Sequence, residues 1–249
     1  MFSKNLLVAV LLSASSLAFA QSAPAPAPAA AAAAAPESPW SGKASLGYLS
    51  TSGNTDTTSA KAAFEVAYEV NDWKHKLSGG GNSAEDTDVK TAEAYQLAWK
   101  TDYSFTEHDY VFGLINWNKD LFSGVREQLS ESVGYGRRVL DTPSYILNLE
   151  IGAGYRDADL SDGTSESGTI ARGGLDFTWI FSETSGFNQK VSVEAGADNT
   201  YIESISELRA KLAGDLAIVL SYTIRDNSDV PAGNVNTDKL SAVSIEYTF

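Results

Sequence analysis

Two histidines, His75 and His108, are the side chains best suited to move protons near neutral pH in a chain of 249 residues that has no cysteine. A histidine becomes a base only when it reaches a nucleophile. Enzymes that cut acyl chains in an outer membrane pair serine with histidine on the lipid-facing outer half of the wall. Here His75 follows the Asn71-Asp72 turn, and His108 lies in the next turn on the same side. The spacing therefore predicts two exposed turn histidines, no catalytic residue and no enzyme. Asp157, Asp159, Asp162 and Gly163 approximate a calcium loop but miss its ligand spacing by one residue. Together with Glu85-Asp86-Thr87-Asp88 they read as solvated loops of an acidic chain, so neither a metal nor a cofactor is expected. The balance of 18 basic against 32 acidic residues, net −14, excludes a phosphate-neutralising nucleic-acid binder.

The charges that remain fall at one parity of alternating segments: Glu65, Glu69, Lys100, Glu150, Arg156, Arg172, Asp176, Glu194, Arg209, Lys211 and Glu246. If those segments form a closed barrel, this set lines the lumen. Mixed signs either pair into a plug or line a narrow pore. Six of the eleven are acidic and five basic, which predicts a weak cation preference if the lumen conducts.

The elements that must position them have a period of two. From Tyr145 to Tyr155 the odd positions read Tyr, Leu, Leu, Ile, Ala, Tyr, while Asn148, Glu150, Gly152 and Gly154 sit between them. Phe64, Val66, Tyr68 and Val70 repeat the design, as do Tyr95, Leu97 and Trp99, and Leu175, Phe177 and Trp179. Leu216 to Ile224 and Val243 to Phe249 repeat it again. Around Ser132–Arg138 the outward parity is undecided. Turn signals bound twelve segments, starting near Trp40, Thr57, Trp73, Thr91, Asp109, Glu127, Ser144, Gly168, Phe187, Ser204, Leu216 and Asp238. Short connections such as Asn71-Asp72 and Gly214-Asp215 alternate with longer ones, read at Ser52–Asp56, Ser83–Lys90, Lys119–Arg126, Ala158–Ser167 and Asn227–Thr237. The short connection near Asp198-Asn199 breaks the pattern. The fold expected is an all-β, closed antiparallel transmembrane barrel of about twelve strands, with short periplasmic turns and longer extracellular loops. An even count puts both ends of the barrel on one side.

The rest of the chain agrees with export. Lys4, the apolar run Leu6–Leu12 and Ala18-Phe19-Ala20 before Gln21 make residues 1–20 a signal peptide cleaved after Ala20. Residues 21–39 hold five of the seven prolines and read as an Ala/Pro-rich periplasmic linker, leaving 40–249 for the barrel. Tyr247 and Phe249 close an apolar-parity strand and resemble the assembly signal that outer-membrane barrels present to their insertion machinery. The partners expected are outer-membrane lipids and the export and barrel-assembly machinery.

Trp40-Ser-Gly42, Leu46-Gly47-Tyr48 and Thr51-Ser-Gly-Asn-Thr-Asp-Thr57 resemble the opening of a family of salt-induced outer-membrane proteins without assigned activity. Asp120–Gly124 with Arg126, Gly134-Tyr-Gly136, Gly152–Arg156, Asp238 and Tyr247-Thr-Phe249 extend the resemblance over nearly all of 40–249. It implies an outer-membrane barrel under osmotic regulation and brings no catalytic residues. The leading expectation is a narrow passive pore or envelope-structural protein. An outer-membrane lipid hydrolase and a soluble periplasmic binding barrel are the alternatives.

Overall fold

A strand that is apolar on one face and polar on the other must hide one of them. A sheet with its apolar face outward can do so only by closing, because a closed ring also leaves no unpaired edge. This is the fold adopted. A computed structural model of the chain describes residues 38–51 and 57–249. Residues 1–20, expected to be a signal peptide, nearly all of the expected 21–39 linker and the connection 52–56 lie outside those residues.

Every regular element described is a strand: β1 (Trp40–Thr51), β2 (Thr57–Val70), β3 (Trp73–Asp86), β4 (Val89–Ser104), β5 (Asp109–Asp120) and β6 (Val125–Asp141). Then follow β7 (Tyr145–Leu160), β8 (Ser165–Ser182), β9 (Ser185–Ala195), β10 (Thr200–Ala213), β11 (Leu216–Asn227) and β12 (Thr237–Thr248). Each pairs antiparallel with its sequence neighbours, and β1 pairs with β12 to close the ring. At that seam Phe249 and Gly42 exchange both backbone hydrogen bonds at 2.9 Å. Gly42 also leaves room for the Phe249 ring, which a Cβ there would overlap.

The turn end, which carries Trp40 and Phe249, has connections of two to four residues. Asn71 takes a left-handed φ of 52° and Gly214 one of 56°, as tight hairpins require. At the opposite, loop end, the stretch Ser83–Lys90 is not a loop. β3 and β4 continue through it to a two-residue turn, Thr87-Asp88, with φ of 51° and 63°. These are the angles of a type I′ turn without the Asn-Gly signature that would have announced it. Ala158–Ser167 likewise shrinks to Ser161–Thr164. The longest described connection is Ser228–Asn236.

The molecule is inside out. Leu46, Val133 and Ile151 on the outer wall are about 70 % exposed, whereas Glu194, pointing inward, is 1 % exposed. Aromatic side chains ring the outer wall at the turn end. Trp40 packs on Tyr68, Trp73 on Tyr103 and Tyr145 on Trp179, at centroid distances of 4.6, 4.8 and 6.2 Å. Nearer the loop end Trp117 donates to Glu127 at 2.9 Å and Tyr155 to Ser167 at 3.2 Å.

Candidate functional site

Among the described residues, the lumen is where the fold gathers chemistry-bearing side chains from many strands. Near the turn end Glu246 accepts from Arg209 Nε at 2.8 Å and lies 3.8 Å from Lys43. Glu65 on β2 lies 3.9 Å from Lys76 on β3 and 3.9 Å from Lys190 on β9. β2 and β9 stand five strands apart in a ring of twelve, so Glu65 and Lys190 meet across the lumen. Glu69 pairs with Lys74, and Lys211 is exposed; both groups stand at the turn-end mouth.

One layer higher, Lys100 donates to Asp102 at 2.5 Å and lies 2.8 Å from Glu150, which also accepts from Tyr110 at 2.9 Å. The ammonium sits 5.0 Å above the Tyr110 ring and 5.3 Å above that of Phe112, a cation–π arrangement. These rings lie flat because Gly134 and Gly152 face inward beneath them. A Cβ on either would meet the Phe112 ring, at 2.7 and 3.2 Å. That settles the parity around Ser132–Arg138. Val133 and Tyr135 point out, and Gly134 and Gly136 point in. Asp176 accepts from Asn188 at 2.9 Å.

Toward the loop end the lumen dries. Glu194 on β9 accepts from Ser130 at 3.0 Å and from Arg172 at 3.2 Å, with Gln128 at 3.5 Å. Arg156 donates to the carbonyls of Glu194 and Asn199, at 3.4 and 2.7 Å. Arg225 on β11 donates to its neighbour Glu203 at 2.8 Å and to Gln96 on β4 at 2.8 Å. Since β4 and β11 are also five strands apart, this is a second crossing. A buried charge is tolerable when its lone pairs and protons are met, and here Glu194 and Arg225 are met from several strands.

The inward wall also carries Lys43, Lys61, Lys76, Asp102, Lys190, Glu203, Glu207 and Arg225, which the period-two reading did not gather. β10 explains part of this. It turns Ile205 inward and Ser204 and Ser206 outward, where both bond Gln189, so its polarity runs against its geometry. The signal available was parity with Arg209.

His75 is not in a turn. It lies on the outer wall of β3, stacked 5.9 Å from Trp73, with Nδ1 3.0 Å from the Thr101 hydroxyl. His108 is in the Phe105–His108 connection, its N–H bonded to Thr106 Oγ1 at 3.2 Å. In the aspartate run, Asp162 accepts from the N–H and hydroxyl of Thr164 at 2.9 and 2.6 Å, and those bonds hold its carboxyl below the usual range. Asp159 accepts from Ser165 at 2.7 Å, so both carboxylates brace the β7–β8 connection.

Comparison with known proteins adds three likenesses. The uncharacterized protein YdiY of Escherichia coli (strain K12) is 28 % identical over 211 residues, covering 84 % of this chain and 83 % of that one. The COG4313 outer membrane channel from Pseudomonas putida F1 has a similar fold, with a TM-score of 0.53 at 10 % identity over 87 % of this chain and 97 % of that one. The NanC porin gives a TM-score of 0.48 at 12 % identity over 83 % and 97 %. Residues 44–249 match the family described as "Protein of unknown function, DUF481", and the chain belongs to it.

Proposed function

We propose that this chain is an outer-membrane β-barrel serving as a narrow passive pore, with a lumen that is closed in the conformation described here. The outer wall supports the membrane setting. Tyr145 and Tyr155 on β7 are ten residue steps apart, which at barrel tilt span about 25 Å, the height of the apolar band of such barrels. The turn end then faces the periplasm. The signal peptide of residues 1–20, recognition of the β12 strand by the assembly machinery, and osmotic regulation belong to the same proposal.

The observation that carries the pore reading is the wet, ionic character of the turn-end half. Glu65, Lys76 and Lys190 remain 27–34 % exposed although they meet across the lumen. A barrel built only as a wall would gain more by filling that space with apolar side chains. The directly hydrogen-bonded crossing from Arg225 to Gln96 favours a second reading, a purely structural barrel. Planar-bilayer recording of the purified protein separates them. Small, rare conductance steps with little ion preference are expected. Silence under every voltage and salt condition would leave the structural reading.

A further inference from the structure

We propose that the β11–β12 connection, Ser228–Asn236, is a strap that shuts the loop-end mouth, and that release of its tip opens the pore; this rests on the pore reading above. In the ring of twelve, β12 stands opposite β6, yet this connection lies against the connections that flank β6 and β7. A Cβ placed on Gly124 would fall 2.8 Å from that of Val230 and 3.1 Å from that of Asn234. Asn234 Nδ2 donates to the Ser161 hydroxyl at 2.9 Å, and Ser161 N donates to the Gly124 carbonyl at 2.9 Å. The strap therefore spans the mouth and rests on the far rim, which is braced below by the packed side chains of Val125, Ala158 and Leu160.

The two ends of the strap are held unequally. At the root, Asn227 N donates to the Asn236 carbonyl at 2.9 Å and Asn236 Nδ2 to the Asn227 carbonyl at 2.6 Å. Asn199 Oδ1 accepts from Asp229 N and Ser228 Oγ, both at 3.2 Å, and its Nδ2 donates to Asn227 at 2.8 Å. The tip is a turn, with Asn234 N on the Pro231 carbonyl at 3.2 Å and Gly233 at a φ of 97°. Among the described residues its hydrogen bond to the far rim is that of Asn234. A segment fixed at one end, stiff at the other and latched by one side chain swings about its root. Gly124 is the latch seat, because a Cβ there already presses on Val230 and Asn234, and a branched side chain would wedge the strap upward.

The chain has no cysteine, so a designed disulfide tests this directly. In the full-length barrel, the pair Gly124→Cys and Asn234→Cys needs a shift of about half an ångström, which clears the Val230 Cβ at 2.8 Å and brings the two Cβ atoms from 3.1 Å to the separation of a disulfide, about 3.5–4.5 Å. In planar bilayers the oxidised pair should be silent, and reduction should restore conductance. Gly124→Val, and a variant with residues 229–235 replaced by a two-residue turn, should raise open time about tenfold, the scale of losing one hydrogen-bonded contact. Failure of the disulfide to form in heat-modifiable, folded barrel would overturn the seating of the strap. Equal conductance of the locked, wild-type and strap-less proteins would overturn the gate and leave the pore standing. Silence of all three would overturn the pore reading, and the gate with it.

Discussion

The turn-end and loop-end halves of the lumen carry the same kinds of charge but hold them differently. Near the turns the bases are mostly lysines, Lys43, Lys74, Lys76 and Lys190, and their side chains stay 27–45 % exposed. Near the loops they are mostly arginines. Arg172 and Glu194 are 10 % and 1 % exposed, and Arg225 and Glu203 are 22 % and 19 %. An ammonium is a compact, strongly hydrated charge on a flexible stem, whereas a guanidinium is a planar fork that loses less by leaving water. Apart from Lys100 at 15 % and Arg209 at 41 %, the choice of base thus separates a wet vestibule from a fixed closure. Net charge and inward parity alone do not.

The comparison breaks most visibly at Glu194. Glu194→Ala leaves Arg172 buried without its carboxylate and strips an acceptor from Ser130, so the barrel should lose about 3–5 kcal/mol. Urea unfolding of liposome-inserted protein reads that loss directly. A change under 1 kcal/mol would mean that the loop half is wetter than its geometry implies. Next comes Arg225→Lys, which keeps the charge and removes the fork that reaches both Glu203 and Gln96. The expected loss is about 1–3 kcal/mol, from one charge-assisted hydrogen bond. More frequent opening in bilayers should accompany it.

Much of this architecture is legible in the sequence, and the illegible parts have physical causes. Ten of the twelve strand starts read from turn signals fall within two residues of those observed; Gly168 and Ser204 lie three and four residues late. Both lie at the loop end, where strands leave the apolar band and alternation between apolar and polar residues stops. The lumen set was readable wherever the outer face was apolar, as on β7 and β8. On β10 it reached Arg209 and Lys211 but not Glu203 and Glu207, because Ser204 and Ser206 face outward there and blur the alternation. What parity could not supply was distance. Glu65 with Lys190, and Gln96 with Arg225, are neighbours only once the ring has closed and narrowed.

Substitutions in the wet half sharpen the contrast from the other side. Glu65→Gln removes a carboxylate that two lysines share at 3.9 Å without close hydrogen bonds. Stability should change by about 1 kcal/mol or less, because the carboxylate makes no close hydrogen bond to either lysine and all three side chains keep some exposure. Ion preference should move toward anions, since Lys76 and Lys190 are left unneutralised at the narrowing. Reversal potentials under a salt gradient check this. An unchanged preference would place the selectivity-determining narrowing elsewhere, at the arginine closure.

The smallest effect belongs to the pair at the turn-end mouth. Lys74 and Glu69 touch, but their side chains are 45 % and 56 % exposed. Exposed pairs gain little, because water screens the attraction and two long side chains must be held still. Glu69→Ala should therefore cost no more than about 0.5 kcal/mol. Even that should vanish in 1 M salt, where the screening length is about 3 Å. Unfolding midpoints measured at low and high salt test both statements. The Glu194→Ala loss should persist at high salt, because ions do not reach a carboxylate that is 1 % exposed. A loss of 2 kcal/mol or more at Glu69 would put a fixed, dry pair at the mouth. The difference between halves would then have to come from something other than hydration.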